Sequence, residues 1–160
     1  MNEKEVIIMY KPIMILMCGI SGSGKTEIAK ELSKEYNAVI LSLSTSKNNQ
    51  PSKVDYDMNF IINYLRKDIR RNLKNRKNII IDIPNLTVKN RRAILHLASN
   101  YEKQKICYVI NTSYEQCVIN NGKNKYPISN SELKKQHKKF CLPTCEEGFD
   151  KVIILNRINL

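Results

Sequence analysis

No apolar run in this sequence is long enough to cross a bilayer. The longest, Ile13–Cys18 and Ile79–Ile81, fall far short of the roughly 20 residues a spanning helix needs. The basic and then apolar leader of a secretory signal is also missing, since the chain begins Met-Asn-Glu-Lys-Glu and offers only Val6–Met9 before Lys11 and Pro12. A cytoplasmic protein with no membrane partner is expected. There is no disulfide framework either. Five cysteines, Cys18, Cys107, Cys117, Cys141 and Cys145, are an odd number spread through apolar segments. That pattern fits reduced, mostly buried thiols and no disulfide-linked partner. His137, Cys141 and Cys145 are spaced four apart, but Pro143 interrupts the helix that would align them and no fourth ligand is evident, so zinc is not expected. Internal repeats and low-complexity linkers are absent.

Acid is scarce: 15 Asp and Glu face 27 Lys and Arg, a formal charge of +12. Such an excess suits a polyanion such as nucleic acid. Codon bias toward Lys, Asn and Ile would produce the same imbalance, so the charge supports that reading without carrying it. The rest of the composition, 42% hydrophobic and 26% charged, is that of a folded globule, and 160 residues suit one domain over 1–160.

Short apolar runs alternate with amphipathic stretches, the pattern of an α/β fold. Strands are expected at Ile13–Cys18, Ala38–Leu43, Ile79–Asp82, Ile106–Ile110 and Val152–Leu155, forming a five-stranded parallel sheet flanked by helices. Helices are expected at about Gly24–Tyr36, Tyr56–Asn75, Val88–Asn100, Tyr114–Asn121 and Ser131–Phe140. Thr112 or Ser113 would cap the fourth and Ser131 the fifth. Asn120–Asn130, rich in Asn with Gly122 and two lysines, reads as a short mobile lid. In the second helix Ile61, Leu65, Ile69 and Leu73 form a core stripe, with Arg66, Arg70 and Lys74 on a face that is either solvated or a nucleic-acid track.

Gly19-Ile20-Ser21-Gly22-Ser23-Gly24-Lys25-Thr26 fits the phosphate-loop pattern G-x-x-x-x-G-K-S/T, directly after an expected strand and before an expected helix. Each residue type has a reason to be there. Gly19, Gly22 and Gly24 let the backbone curl, so that N–H groups of the Ser21–Thr26 stretch point at the β- and γ-phosphates of ATP. Lys25 adds a full positive charge, and the Thr26 hydroxyl is a ligand for Mg²⁺. The third strand ends in Asp82, placed to hold Mg²⁺ or its water shell, or else to cap the following turn. This is the signature of a P-loop NTPase.

The segment Ile80-Ile81-Asp82-Ile83-Pro84-Asn85-Leu86-Thr87 with Arg91-Arg92 resembles the D-x-T-N-L-T and R-R segments of the phosphate-loop kinases typified by polynucleotide 5′-hydroxyl kinase. Phe140-Cys141-Leu142-Pro143 followed by Glu147-Gly148-Phe149-Asp150 is similar to the F-x-x-P, E-G-F-D ending of the same group. The resemblance implies an adenylate-kinase-like fold and transfer of the ATP γ-phosphate, with Mg²⁺, to a hydroxyl, often a nucleic-acid 5′ end. It implies that Lys25, Thr26 and Asp82 act on the phosphates and metal, and that Lys123 and Lys125 close over the transferring group. Ser44 and Lys47 stand where the family has an aspartate and an arginine, Pro84 where it has threonine, and lysines where the lid usually has arginines. Asp55 and Asp57 are alternative bases, or simply charges that complement a helix dipole. Lys134, Lys135, Lys138 and Lys139 form a basic face suited to a nucleic-acid backbone or to solvent. Two other readings stand beside the polynucleotide kinase: a nucleoside or sugar kinase, and a nucleotide-binding module without catalysis.

Overall fold

Strand β1 (Ile13–Cys18) carries no charged residue, and only its first residue is not fully buried, so it can lie only at the centre of a covered sheet. The computed structural model, which describes residues 11–43 and 57–157, puts it there. Around it stand β2 (Val39–Leu41), β3 (Ile79–Ile81), β4 (Gln104–Thr112) and β5 (Lys151–Arg157), all parallel, in the order β2-β3-β1-β4-β5. Met14 faces Ile79 on one side of β1, and Ile13–Cys18 pairs with Gln104–Val109 on the other. The expected five-stranded parallel α/β sheet is therefore present. Ser44, Lys47 and Asp55 lie outside the described residues.

The strands are separated by α1 (Lys25–Tyr36), α2 (Met58–Lys74), α3 (Val88–Leu97), α4 (Tyr114–Gly122), α5 (Asn130–Lys139) and a 3₁₀ turn at Cys145–Glu147. Side chains alternate across the sheet. Met14, Leu16, Ile79 and Ile81 meet the α2 stripe Ile61, Leu65, Ile69 and Leu73 with Ile94 of α3, whereas Ile15, Met17, Ile80 and Ile106 meet Ala29 and Leu32 of α1. A smaller cluster of Ile20, Leu86, Cys117 and Leu133 seats α4 and α5 against the turn that follows β1. Among the described residues, no helix is long and apolar enough to cross a membrane.

Several boundaries differ from expectation for local reasons. Helix α2 begins at Met58 because Asp57 caps it, accepting from the Asn59 N–H at 2.6 Å. Ser113 caps α4, and α5 is capped by Ser129 rather than Ser131: Ser129 Oγ accepts from the Glu132 N–H at 3.1 Å, two residues earlier than expected. Strand β4 outruns its apolar run because Gln104 and Lys105 pair with β1 while Asn111 and Thr112 pair with β5. The expected lid over 120–130 is cut short as well. Helix α4 runs on to Gly122, and the buried Asn121 pins the loop, its Nδ2 donating to Ile128 O at 2.8 Å and its Oδ1 accepting from Ile128 N at 3.1 Å.

At the opposite edge of the sheet Asn78 joins three elements. Its Oδ1 accepts from Ile13 N at 2.8 Å, its Nδ2 donates to Tyr36 O at 2.7 Å, and its carbonyl accepts from Val39 N at 2.9 Å. Asn78→Ala leaves the first two partners unsatisfied and is expected to cost about 1–3 kcal/mol in urea denaturation. An unchanged midpoint would show that water replaces the amide without loss.

Candidate functional site

The six residues between β1 and α1 form a loop that only glycine permits at two points. Gly22 has φ 81°, and a Cβ there would lie 2.4 Å from the Cys117 carbonyl oxygen; Gly24 has φ 97° and lies under the Arg157 guanidinium. The carbonyl side of the loop is tied down from outside. Asn120 Nδ2 donates to Gly22 O at 2.8 Å and Thr112 Oγ1 donates to Ser23 O at 2.7 Å, while on the N–H side Gly19 N donates to Pro84 O at 3.1 Å. Gly24, the N-cap of α1, provides no side-chain cap, so the first-turn N–H groups of α1 are left to whatever occupies the cleft. Ser23 Oγ is buried there without a partner.

Lys25 is only 8% exposed, and its Nζ donates to Ile20 O at 3.0 Å. Burial lowers its pKa below the ordinary lysine value, against the opposing pull of Asp82. Since β3 is hydrogen-bonded to β1, Asp82 at its end sits beside the loop, and Thr26 Oγ1 donates to Asp82 Oδ2 at 2.8 Å. A hydroxyl and a carboxylate in contact at the base of a phosphate-binding loop can hold a hard divalent cation between them. These groups line a cleft of about 730 Å³ at the carboxyl ends of the strands. One wall contains Ser42, Leu43 and Ile61, and the other Asn120, Lys123, Tyr126 and Arg157. Lys123 therefore faces the cleft. Lys125 does not line it; its Nζ lies 5.4 Å from the centre of the Tyr126 ring.

The two segments that carry the family resemblance meet inside the protein. Arg91 is completely buried, and its Nε and Nη2 donate to the two carboxylate oxygens of Glu147, each at 2.7 Å. Its Nη1 donates to Asn85 O at 2.9 Å, the carbonyl that also accepts from Cys18 Sγ at 3.2 Å. Asn85, in the left-handed region at φ 52°, donates from Nδ2 to Met17 O at 2.7 Å. Burial by itself would lower the Arg91 pKa, but the hydrogen bonds and charge of Glu147 outweigh it and the guanidinium is held charged. Arg92 is exposed and Phe149 is in the core. These motif residues hold the turn after β3 against the end of β1.

Two residues at the loop escaped the sequence reading. Gln136 Oε1 accepts from Ser21 N at 2.8 Å, docking α5 on the loop. Its signal is weak: an uncharged residue among lysines, three after the buried Leu133. Arg157 packs over Gly24 and reaches Glu27 Oε2 at 3.4 Å. Its place at the carboxyl end of a strand, the edge where α/β sheets bind ligands, was the available clue. His137, once weighed as a metal ligand, packs its ring against Tyr114 at 4.7 Å.

The glycines supply a test with an internal control. Gly22→Ala forces both a left-handed alanine and a clash with backbone, so thermal stability and nucleotide affinity should both fall. Gly122→Ala, with nothing within 4 Å of the new methyl, should leave affinity unchanged and raise stability by up to about 1 kcal/mol. Equal behaviour of the two variants would contradict the described loop geometry.

Comparison with curated proteins returned no match. Among solved structures, Kti12 of Chaetomium thermophilum in complex with ADP-AlF3 is similar with a TM-score of 0.71 and 15% identity, covering 89% of this chain and 88% of that one. An unliganded sugar kinase from Janibacter sp. HTCC2649 is similar with a TM-score of 0.67 and 17% identity, covering 91% and 85%. A chain of the Pnkp1/Rnl/Hen1 RNA repair complex is similar with a TM-score of 0.67 and 21% identity over 81% of this chain but only 44% of that one. At these identities the likeness is one of fold. A family profile described as AAA domain matches residues 14–143, most of the sheet and the whole of the phosphate loop included, so the chain belongs to that family of P-loop NTPase folds.

Proposed function

We propose that the protein is an ATP- and Mg²⁺-dependent kinase that transfers the γ-phosphate to a hydroxyl, with the 5′-hydroxyl of a polynucleotide as acceptor. The observation that carries this reading is the Thr26–Asp82 contact at 2.8 Å beside the buried Lys25, in a cleft of about 730 Å³ that Ser42, Leu43 and Ile61 also line. The likeness in fold to a sugar kinase and to a component of an RNA repair complex supports the reaction class.

In this reading the first-turn N–H groups of α1 and Lys25 hold the β- and γ-phosphates, since the N–H groups of Gly19, Ser21 and Ser23 are spent on Pro84 O, Gln136 Oε1 and Ile20 O, and Thr26 and Asp82 hold Mg²⁺, which when bound neutralises phosphate charge. The acceptor oxygen bonds to the γ-phosphorus, the bond from that phosphorus to the bridging oxygen breaks, and the acceptor proton passes to a phosphate oxygen or water. Positioning and electrostatics supply most of the rate in such a reaction, so the serine at position 44, in place of an aspartate, slows the transfer without abolishing it. Lys123 supplies charge from the far wall. Lys125 is assigned the weaker role, because it does not line the cleft and its ammonium lies over the Tyr126 ring.

Incubation with γ-labelled ATP and a panel of 5′-hydroxyl DNA, 5′-hydroxyl RNA, nucleosides and sugars tests this. Label is expected on the oligonucleotides; label on a sugar or nucleoside alone contradicts the acceptor, and no label contradicts the kinase. Lys25→Met should weaken ATP binding about 10- to 150-fold, the equivalent of a charge-assisted contact of roughly 1.5–3 kcal/mol, and remove transfer. The pH dependence has a defined sign. Burial lowers the Lys25 pKa in the free protein, and bound polyphosphate raises it again. ATP affinity is therefore complete below the free-protein value and falls as pH rises through it, with proton uptake on binding in that window. Calorimetry in two buffers of different ionisation enthalpy should show this uptake in the parent and not in Lys25→Met.

A further inference from the structure

A second concave surface lies outside the cleft, a groove of about 350 Å³ between α2 and α3. Its floor is apolar, with Ile62 and Leu97 nearly buried. Its α2 wall presents Asn59, Asn63, Arg66 and Arg70, spaced so that all four share one helix face, and His96 stands on the α3 side. No Asp or Glu lines it among the described residues. Arg66 Nη2 donates to Asn63 Oδ1 at 3.0 Å, which orients the guanidinium and leaves most of its donors unspent. The carboxylate between the two arginines in sequence, Asp68, points elsewhere and is bonded to Arg71 at 2.6 Å.

The cleft and the groove share the first turn of α2. Ile61 lines the cleft, while Asn59 and Ile62 on the same turn of α2 line the groove. The first turn of α2 thus borders both surfaces. Arg66 and Arg70 are one helical turn apart, about 6 Å along the axis, a separation comparable to that of neighbouring phosphates on a nucleic-acid strand. The lysines of α5 offer no such enclosure: Lys134, Lys135, Lys138 and Lys139 are exposed on a convex helix, and Lys135 is 4.0 Å from Glu132.

We propose that the α2–α3 groove holds the phosphodiester backbone of the acceptor strand downstream of its 5′-hydroxyl, with Arg66 and Arg70 on successive phosphates and sugars over the apolar floor. This rests on the polynucleotide reading of the cleft and names where the rest of that substrate lies. Because the contacts are to phosphates, binding is salt-dependent and indifferent to base sequence.

The test is a fluorescence anisotropy titration of the full chain with a 3′-labelled 12-nucleotide 5′-hydroxyl single strand over a range of salt, without ATP. The transfer assay with γ-labelled ATP is run on the same strand. Arg66→Gln with Arg70→Gln should weaken binding about 10- to 100-fold, and should reduce the slope of log affinity against log salt by about 1.4, two phosphates at about 0.7 each. Arg71→Gln with Lys74→Gln removes the same charge from outside the groove and should leave both nearly unchanged. Both pairs are exposed, so melting curves should match the parent. Equal losses from the two pairs, or no loss from the first, would overturn the groove. A strand that binds through Arg66 and Arg70 but accepts no phosphate would sink the polynucleotide-kinase reading and leave the groove standing. A strand phosphorylated by the parent and bound equally by all variants would do the reverse.

Discussion

The ion pair between Arg91 and Glu147 is the constraint around which the carboxyl edge of the sheet is organised. Arg91 has no exposed surface, and a charge so placed costs several kcal/mol unless it is matched in both charge and geometry. Glu147 matches it with two hydrogen bonds at 2.7 Å, the fork-to-carboxylate arrangement that lysine could not reproduce. The remaining nitrogen is used on Asn85, and Asn85 in turn grips Met17, one residue before β1 ends. The turn after β3, the end of β1 and the 3₁₀ turn before β5 are thereby fixed to one another. An apolar pair of the same volume could fill this space at similar stability, so what the ion pair supplies is orientation.

That orientation is what the loop requires. A phosphate-binding loop works only if its N–H groups are held toward the ligand before the ligand arrives, which means that its carbonyls need partners elsewhere. Here Gly22 O and Ser23 O find theirs on α4 and β4, and the loop's first N–H, that of Gly19, donates to Pro84 O in the segment that Arg91 and Asn85 hold. The strand order then places Asp82 on the neighbour of β1, close enough to accept from Thr26. The cleft and the groove share the first turn of α2, so the same helix that covers one face of the sheet connects the two proposed parts of the substrate site.

The features legible in the sequence were those written in local patterns. The phosphate loop, the uncharged β1 and the four-residue stripe of α2 depend on spacing within a few residues, and the structure places them as the spacing requires. The Arg91–Glu147 pair joins residues 56 apart, and only the resemblance hinted that the two segments belonged together. Gln136 reaches the loop from 115 residues away through a helix whose lysines dominate its appearance. That the buried amide of Asn121 closes the 121–128 loop on itself has no local signature, because its partner is the Ile128 backbone seven residues away. Arg66 and Arg70 could be placed on one face of α2, but the groove beneath them exists only once α3 is packed alongside.

The most direct test of the central claim is a double-mutant cycle in ATP affinity, with Arg91→Met, Glu147→Leu and the pair of changes, measured by titration calorimetry well below the melting temperature of each variant. If the buried pair positions the phosphate loop, each single change weakens Mg·ATP binding while the protein stays folded. The double variant should then lose less than the sum, with a coupling energy of about 0.5–3 kcal/mol. Folded variants that bind Mg·ATP as tightly as the parent would contradict the account and reduce the pair to a contribution to stability alone.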